Sequence, residues 1–350
     1  MSTTPLLVKL DTTPLGNDNA IRGVGMYTRL LHQELSQLPD VQLISLGESQ
    51  TPDVIHYPFF DLFFATLPWR HSAPTVITIH DVIPLKFPEF YPVGKKGRVR
   101  YWRQRFLAQR ADAIITDSEA SKADIVKHLG IKSTKVHVVY LAANPELKKA
   151  DKNEVSRVKK AYHLPAQYIL YVGDINYNKN LPQLIKAVKY LPEDIHLVCV
   201  GKNFYPHEIP EWRWIEAQIA MSEVTDRVHL IPDIAGDATK DLAALYSGAV
   251  AYVQPSLYEG FGLPILEAMQ CRVPVVSTHT SSLIEVGNEY VVFTTPTAES
   301  LAEGVEAVLN WSETKRQQVI RAAFEWSQSF TWQKTAQETL GIYRQVLNKK

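Results

Sequence analysis

The chain has 350 residues, 45% hydrophobic and 21% charged, an ordinary globular composition too long for one small core, and it predicts two domains of roughly 150 residues each. Lys plus Arg and Asp plus Glu both total 37, so net charge gives no ground for a nucleic-acid partner, and only local clustering of charge can matter. The two cysteines, Cys199 and Cys271, sit in apolar runs and are expected as reduced core thiols, without a disulfide framework or zinc-ligand spacing.

The opening MSTTPLLVKLDTTPL lacks a basic segment followed by a long apolar one, and the chain holds no run of about 18 apolar residues. A soluble cytoplasmic protein is expected. Strand candidates in the first half are LLVKL, VQLISL, DVIHY, TVITIH, DAIITDS and KVHVVYL. Helical periodicity separates them at Val24 to Leu38, Val99 to Arg110 and Ser121 to Leu129. The second half offers YILYVG, HLVCVG, VHLIP, AVAYVQP, VPVVST and YVVFT, with helices at Leu181 to Tyr190, Pro210 to Met221, Thr239 to Tyr246, Pro264 to Met269 and Ala298 to Leu309. Continuous apolar strands alternating with helices predict an α/β protein of parallel, doubly wound sheets covered on both faces. The charged stretch from Asp151 to Lys160 predicts a linker near Leu147 to Pro165. The domains are therefore expected at 1–148 and 165–330, facing each other across a cleft into which the carboxyl ends of both sheets point.

The stretch PSLYEGFGLPILEAMQ, Pro255 to Gln270, combines two acids, a glycine loop and a helix start. Pro264 suits a first helical turn, where its missing N–H is not needed. Gly260 and Gly262 permit unusual backbone angles and close approach of a ligand. The backbone N–H groups of Phe261, Gly262 and Leu263 suit a phosphate or pyrophosphate at the helix start. Glu259 and Glu267 flank that point and would repel it unless each holds something else. Hydroxyl groups of a sugar and of a ribose fit, so the stretch reads as a cradle for a nucleotide sugar. A helix with two solvated glutamates behind a glycine loop is the plainer alternative.

EGFGLPILEAM resembles the Glu, seven residues, Glu motif of retaining GT-B glycosyltransferases, particularly family 4. The likeness extends in order over THDVIPLKFPEFYP, AIITDSEASKADIVKHLGI with VHVVYLAAN, YVGDINYNKNLPQLIKAV and FTWQKTAQETLGIYRQVL. The resemblance implies the GT-B fold: two Rossmann-like domains, the second binding a nucleotide-sugar donor and the first an acceptor. It also implies that the last helix, 331–350, packs back on the first domain. Glu259 would hold the sugar and stabilise charge developing at its anomeric carbon, Glu267 the ribose, and His80, at the end of TVITIHD, the transferred sugar. Gly23 and Gly25 resemble the family's glycine-rich loop near the donor diphosphate. Ile231 and Pro232 stand where the nucleobase packs. Lys179 matches a donor-phosphate lysine, but Asp174 stands where the family often has an arginine, which puts one phosphate contact in doubt. Neither a metal nor a separate cofactor is expected, the donor being a co-substrate.

Tyr91 to Arg110 carries Lys95, Lys96, Arg98, Arg100, Arg103, Arg105 and Arg110 with no acid, and interleaves Tyr101, Trp102 and Phe106. It reads either as a helix with a solvated basic face or as peripheral contact with an anionic membrane surface, here the inner face, or with a lipid-diphosphate acceptor. The segments around HDVIPLKFPEFYP look most like bacterial mannosyltransferases of surface-polysaccharide assembly, which places GDP-mannose ahead of a UDP-hexose as donor and a glycan or lipid-linked hydroxyl as acceptor. A nucleotide-sugar epimerase, a phosphorylase and a noncatalytic nucleotide-sugar-binding subunit remain as alternatives. A nicotinamide dehydrogenase fits less, since no G-x-G-x-x-G follows a strand with an acid about 20 residues on.

Overall fold

A computed structural model describes residues 5–16, 23–45, 48–232, 234 and 238–348. The chain divides into two compact units, Met1–Ala142 with Phe330–Lys350, and Ala143–Ser329.

The first unit runs β1 (Leu6–Leu10), α1 (Gly23–Ser36), β2 (Val41–Ile44), β3 (Val54–Tyr57), β4 (Thr75–Thr78), α2 (Ile83–Lys86), α3 (Lys95–Arg110), β5 (Ala113–Thr116), α4 (Glu119–Asp124) and β6 (Val136–Val138). Its strands form one parallel sheet in the order β2-β1-β3-β4-β5-β6. β3, β4 and β5 are buried along their whole length, as expected of strands covered by helices on both faces. Ser118 starts α4 by accepting a hydrogen bond from the Ser121 N–H, and the helix continues as a wider turn over Ile125–Leu129.

The second unit runs α5 (Lys152–Ala161), β7 (Gln167–Val172), α6 (Leu181–Val188), β8 (Ile195–Val200), α7 (Pro210–Ser222), β9 (Val228–Ile231), α8 (Ala238–Ser247), β10 (Ala251–Gln254), α9 (Leu263–Gln270), β11 (Val275–Thr278), α10 (Ser282–Gly287), β12 (Val292–Thr294), α11 (Ala298–Leu309) and α12 (Glu313–Ser327). Its parallel order is β12-β11-β10-β7-β8-β9. The chain adds β8 and β9 to one side of β7, then returns to build β10, β11 and β12 on the other. The order therefore reverses between β7 and β10, and the loops leaving that pair open the crevice in which such sheets bind ligands.

One segment differs from the sequence reading. The charged stretch expected as linker is α5, capped by Asp151 and packed through Val158, with Arg157 on Asp241 of α8; the division falls earlier, at Ala142 and Ala143. Its charges form the solvated face of an amphipathic helix, which composition alone does not separate from a linker. The last helix, α13 (Trp332–Asn348), belongs to the first unit. The Tyr343 hydroxyl lies 2.6 Å from Nδ1 of His56 on β3, and His56 Nε2 lies 2.8 Å from the Thr78 hydroxyl on β4, which also meets Tyr27 of α1. Burial holds the His56 pKa down at about 3, so a neutral imidazole joins these elements. Thr335 adds a bond to the Tyr140 carbonyl.

Candidate active site

In the second unit the site grows from the switch point. The loop after β7 carries Asp174 to Asn180, and the loop after β10 carries Pro255 to Gly262. Polar side chains that the sequence reading did not single out sew them together. Asn178 donates to the Tyr258 carbonyl while its own carbonyl accepts from Leu257, and Asn180 donates to the carbonyls of Pro255 and Pro296. Asn180 adopts a left-handed conformation at φ 57°, which Asn tolerates better than most residues, and so turns the chain directly into α6.

Lys179 and Glu259 meet in this frame. The Lys179 ammonium lies 2.8 Å from both Glu259 carboxylate oxygens. Oε1 of Glu259 also accepts from the Ser256 hydroxyl at 2.6 Å and from Gln254 at 3.0 Å, while the Glu259 carbonyl accepts from Ser282. The carboxylate is thus buried, charge-balanced and fixed in direction. Gly262 ends the loop at φ 107°, a conformation that favours glycine, and a Cβ there would meet Leu283 Cδ2 at 2.7 Å. α9 begins at Leu263, with Pro264 in its first turn and no side chain capping it. Gly260, Phe261 and Gly262 are buried, and Leu263 is half-buried.

Glu267 lies one turn into α9, buried, and accepts from the Tyr246 hydroxyl at 2.8 Å. Burial raises its pKa from 4.5 to about 6, against the lowering effect of that bond. The two acids around the helix start therefore do not act as two bare charges: Lys179 balances one, and burial favours a proton on the other. The folded protein holds that proton more tightly than the unfolded chain, so stability falls as pH rises from 4.5 through about 6. Glu267→Gln is expected to remove this slope and to raise unfolding free energy at pH 7 by up to about 2 kcal/mol, while weakening nucleotide binding if Glu267 holds the ribose. Denaturant unfolding across that pH range and a nucleotide titration check both; a slope that persists would assign it to another group.

The remaining candidates of this unit divide. Asp174 ties its own loop to the one after β8: Oδ1 accepts from the Ile175 N–H at 2.8 Å and from Asn203 at 2.6 Å. Ile231 is buried at the end of β9 with its carbonyl bonded to the Gly201 N–H, and Pro232 beside it is exposed.

In the first unit, His80 follows β4 and Asp117 follows β5, neighbouring strands of the sheet. His80 Nδ1 lies 2.7 Å from Asp117 Oδ2, and the Tyr27 ring packs perpendicular to the imidazole with centroids 4.8 Å apart. Burial opposes charge on His80, but the Asp117 carboxylate outweighs it, with Asp81 and the Pro58 carbonyl adding to the effect, and the pKa lies above the ordinary 6.5. Asp81 also caps the turn ahead, accepting from the Ile83 N–H. Asp117 was not a sequence candidate, since a carboxylate that meets the histidine at 2.7 Å in space but stands 37 residues away in sequence leaves no local signal. Gly23 and Gly25 open α1, Gly23 exposed and Gly25 buried; Arg22 lies outside the described residues.

Two doubly wound parallel sheets, with loops converging at the second sheet's switch point, place the chain among two-domain α/β proteins, and family profiles identify it as a glycosyltransferase. A profile described as "Glycosyl transferases group 1" matches residues 152–326, half of the chain, and one described as "Glycosyltransferase Family 4" matches residues 14–147. The chain belongs to this family, and it has the GT-B fold. It is 29% identical over 278 residues to an O-antigen chain mannosyltransferase B of Escherichia coli, covering 77% of this chain and 70% of the relative. It is 30% identical to a serotype-specific mannosyltransferase WbdA of Escherichia coli over 80% of this chain, but spans only 34% of that longer protein. A solved sucrose-phosphate synthase from Thermosynechococcus elongatus superposes with a TM-score of 0.75 at 19% identity, over 99% of this chain and 100% of that one.

Proposed function

We propose that the protein transfers a mannosyl residue from GDP-mannose to a hydroxyl of a glycan or lipid-linked acceptor, with retention at the anomeric carbon and without a bound metal. The observation that carries this reading is the Lys179–Glu259 pair beside the uncapped start of α9, at the switch point of the second sheet. A pre-neutralised carboxylate next to a helix N-terminus lets a diphosphate and a sugar sit side by side. The mannosyltransferase relatives favour mannose over another hexose. In this reading the bond from the anomeric carbon to the diphosphate breaks, and the acceptor oxygen bonds to the same face. The acceptor's proton passes to the departing diphosphate oxygen. The helix start and Lys179 stabilise the leaving charge, and Glu259 the cationic sugar. His80, whose pKa lies above its ordinary value, is the first unit's candidate for donating to a sugar hydroxyl.

The basic helix supports contact with an anionic membrane surface. α3 buries Gln104, Leu107 and Ala108 and exposes Val99, Trp102 and Phe106 on another face. Arg103 donates to the Leu67 carbonyl and Arg105 to the Leu129 carbonyl, so both are tied to the protein, while Lys95, Lys96, Arg98 and Arg100 remain exposed. Aromatic residues beside exposed cations suit a headgroup layer. None of the described helices is long and apolar enough to cross a membrane.

Calorimetric titration with GDP, UDP and NAD in the presence of chelator tests the donor. Binding of GDP alone supports the proposal, and binding of UDP alone transfers the reading to a UDP-hexose. If neither binds, the transferase reading gives way to a noncatalytic one. A product assay with labelled donor then separates transfer from epimerisation.

A further inference from the structure

The segments that follow β3 and β4, with the first turns of α3, line an open hollow of about 430 Å³. Phe63, Phe64, Pro84, Val93 and Gly97 give it mostly hydrocarbon walls, and Arg100 is the one charged residue among those lining it. This volume falls in the range of small-molecule sites. Phe64 stands at 63% exposure, with the Arg100 guanidinium 5.8 Å from its ring centre. Lys95, Lys96 and Arg98 stand exposed on the same first turns, and α3 holds no acid to balance them. An apolar hollow lined by one guanidinium, with three more exposed cations on the same helix turns, is complementary to one ligand chemistry: a hydrocarbon chain that ends in phosphate. A free sugar would find little to hydrogen-bond in such walls. The post-β4 segment that supplies Pro84 and Val93 begins with His80, so hollow and histidine belong to one stretch of chain.

We propose that this hollow binds the hydrocarbon chain of a lipid-linked acceptor, with Lys95, Lys96, Arg98 and Arg100 on its phosphate groups. The proposal rests on the lipid-linked reading of the acceptor given above. It assigns the carrier lipid to a shaped pocket in addition to the flat contact made by the Val99–Trp102–Phe106 face.

The test is titration of the full chain with farnesyl diphosphate and with inorganic diphosphate, both at saturating GDP or UDP so that the donor site is filled. Farnesyl diphosphate should bind at least about tenfold more tightly, because only its chain has apolar surface to bury. Val93→Trp, which fills the hollow, and Phe64→Asp, an exposed change at its mouth, should each remove that advantage while nucleotide affinity stays unchanged. Equal affinity for the two diphosphates overturns the proposal, as does an advantage that survives both substitutions. Sedimentation with phosphatidylglycerol vesicles supplies the last arm: if Val93→Trp weakens vesicle binding as much as farnesyl diphosphate binding, the hollow is a membrane wedge and not an acceptor site. Failure of the glycosyl-transfer reading would show separately, as absence of GDP and UDP binding and of sugar transfer.

Discussion

Glu259→Gln is expected to lower kcat about 10³-fold while changing nucleotide affinity by less than about tenfold. The substitution keeps the side chain's volume and an oxygen that accepts from Ser256 and Gln254, so the loop after β10 stays in place. What disappears is the negative charge. In the proposed reaction that charge faces a sugar carbon that turns cationic only on the way to the transition state, and an interaction made only there is read in kcat. Lys179 loses its partner but is 21% exposed at the side chain, so water and an incoming diphosphate take the place of the carboxylate. For that reason binding is retained or improved. Steady-state transfer rates and calorimetric nucleotide titration of the same variant separate the two effects. A kcat within tenfold of wild type would mean that the Glu259 charge serves the loop and not the reaction.

Asp117→Asn is expected to lower kcat/KM at neutral pH by about tenfold to a hundredfold, and to shift its pH dependence downward. The carboxylate 2.7 Å from Nδ1 is the main influence that raises the imidazole pKa against its burial. Asn still accepts from Nδ1–H, so the ring keeps its place, but the opposing charge is gone. Burial then dominates and the His80 pKa falls below 6.5. Asp81, His56 and Tyr27 also face the ring and are unchanged, so the shift reports Asp117 alone. The stability that His80 gains from its partner is present below pH 6.5 and lost as pH rises through its raised folded-state value; the variant lacks it. NMR titration of the His80 ring and pH–rate profiles check the claim. In a His80→Ala background the Asp117→Asn change should add little, because the pair acts as a unit. An unaltered titration and pH profile would reduce Asp117 to a packing role.

Much of the fold was legible in the sequence because the second unit's core strands, such as YILYV and HLVCV, are buried on both faces and therefore apolar throughout. The twelve strand segments named from sequence each contain a strand. Besides the four-residue α2, the helices α5, α10 and α12 were missed for a different reason. Glu313 to Ser327 shows a weak apolar stripe, and Lys152 to Ala161, though amphipathic, buries only Val158 and is so charged that it also reads as a linker. α10 spans only six residues, too few for a period to repeat.

By itself the sequence determined that two α/β units follow one another, that Glu259, Gly262 and Glu267 surround one helix start, and that Lys179 leads into another. These are local facts, set by strand burial, glycine conformation and the first turn of a helix. The tertiary structure alone decided that Lys179 neutralises Glu259 across 80 residues, that burial raises the Glu267 pKa, that Asp174 ties its own loop to the one after β8, and that Asp117 raises the His80 pKa. The reason is physical: charge state and pairing depend on burial and on which strand ends lie side by side, and a parallel sheet brings its neighbours together from distant parts of the chain.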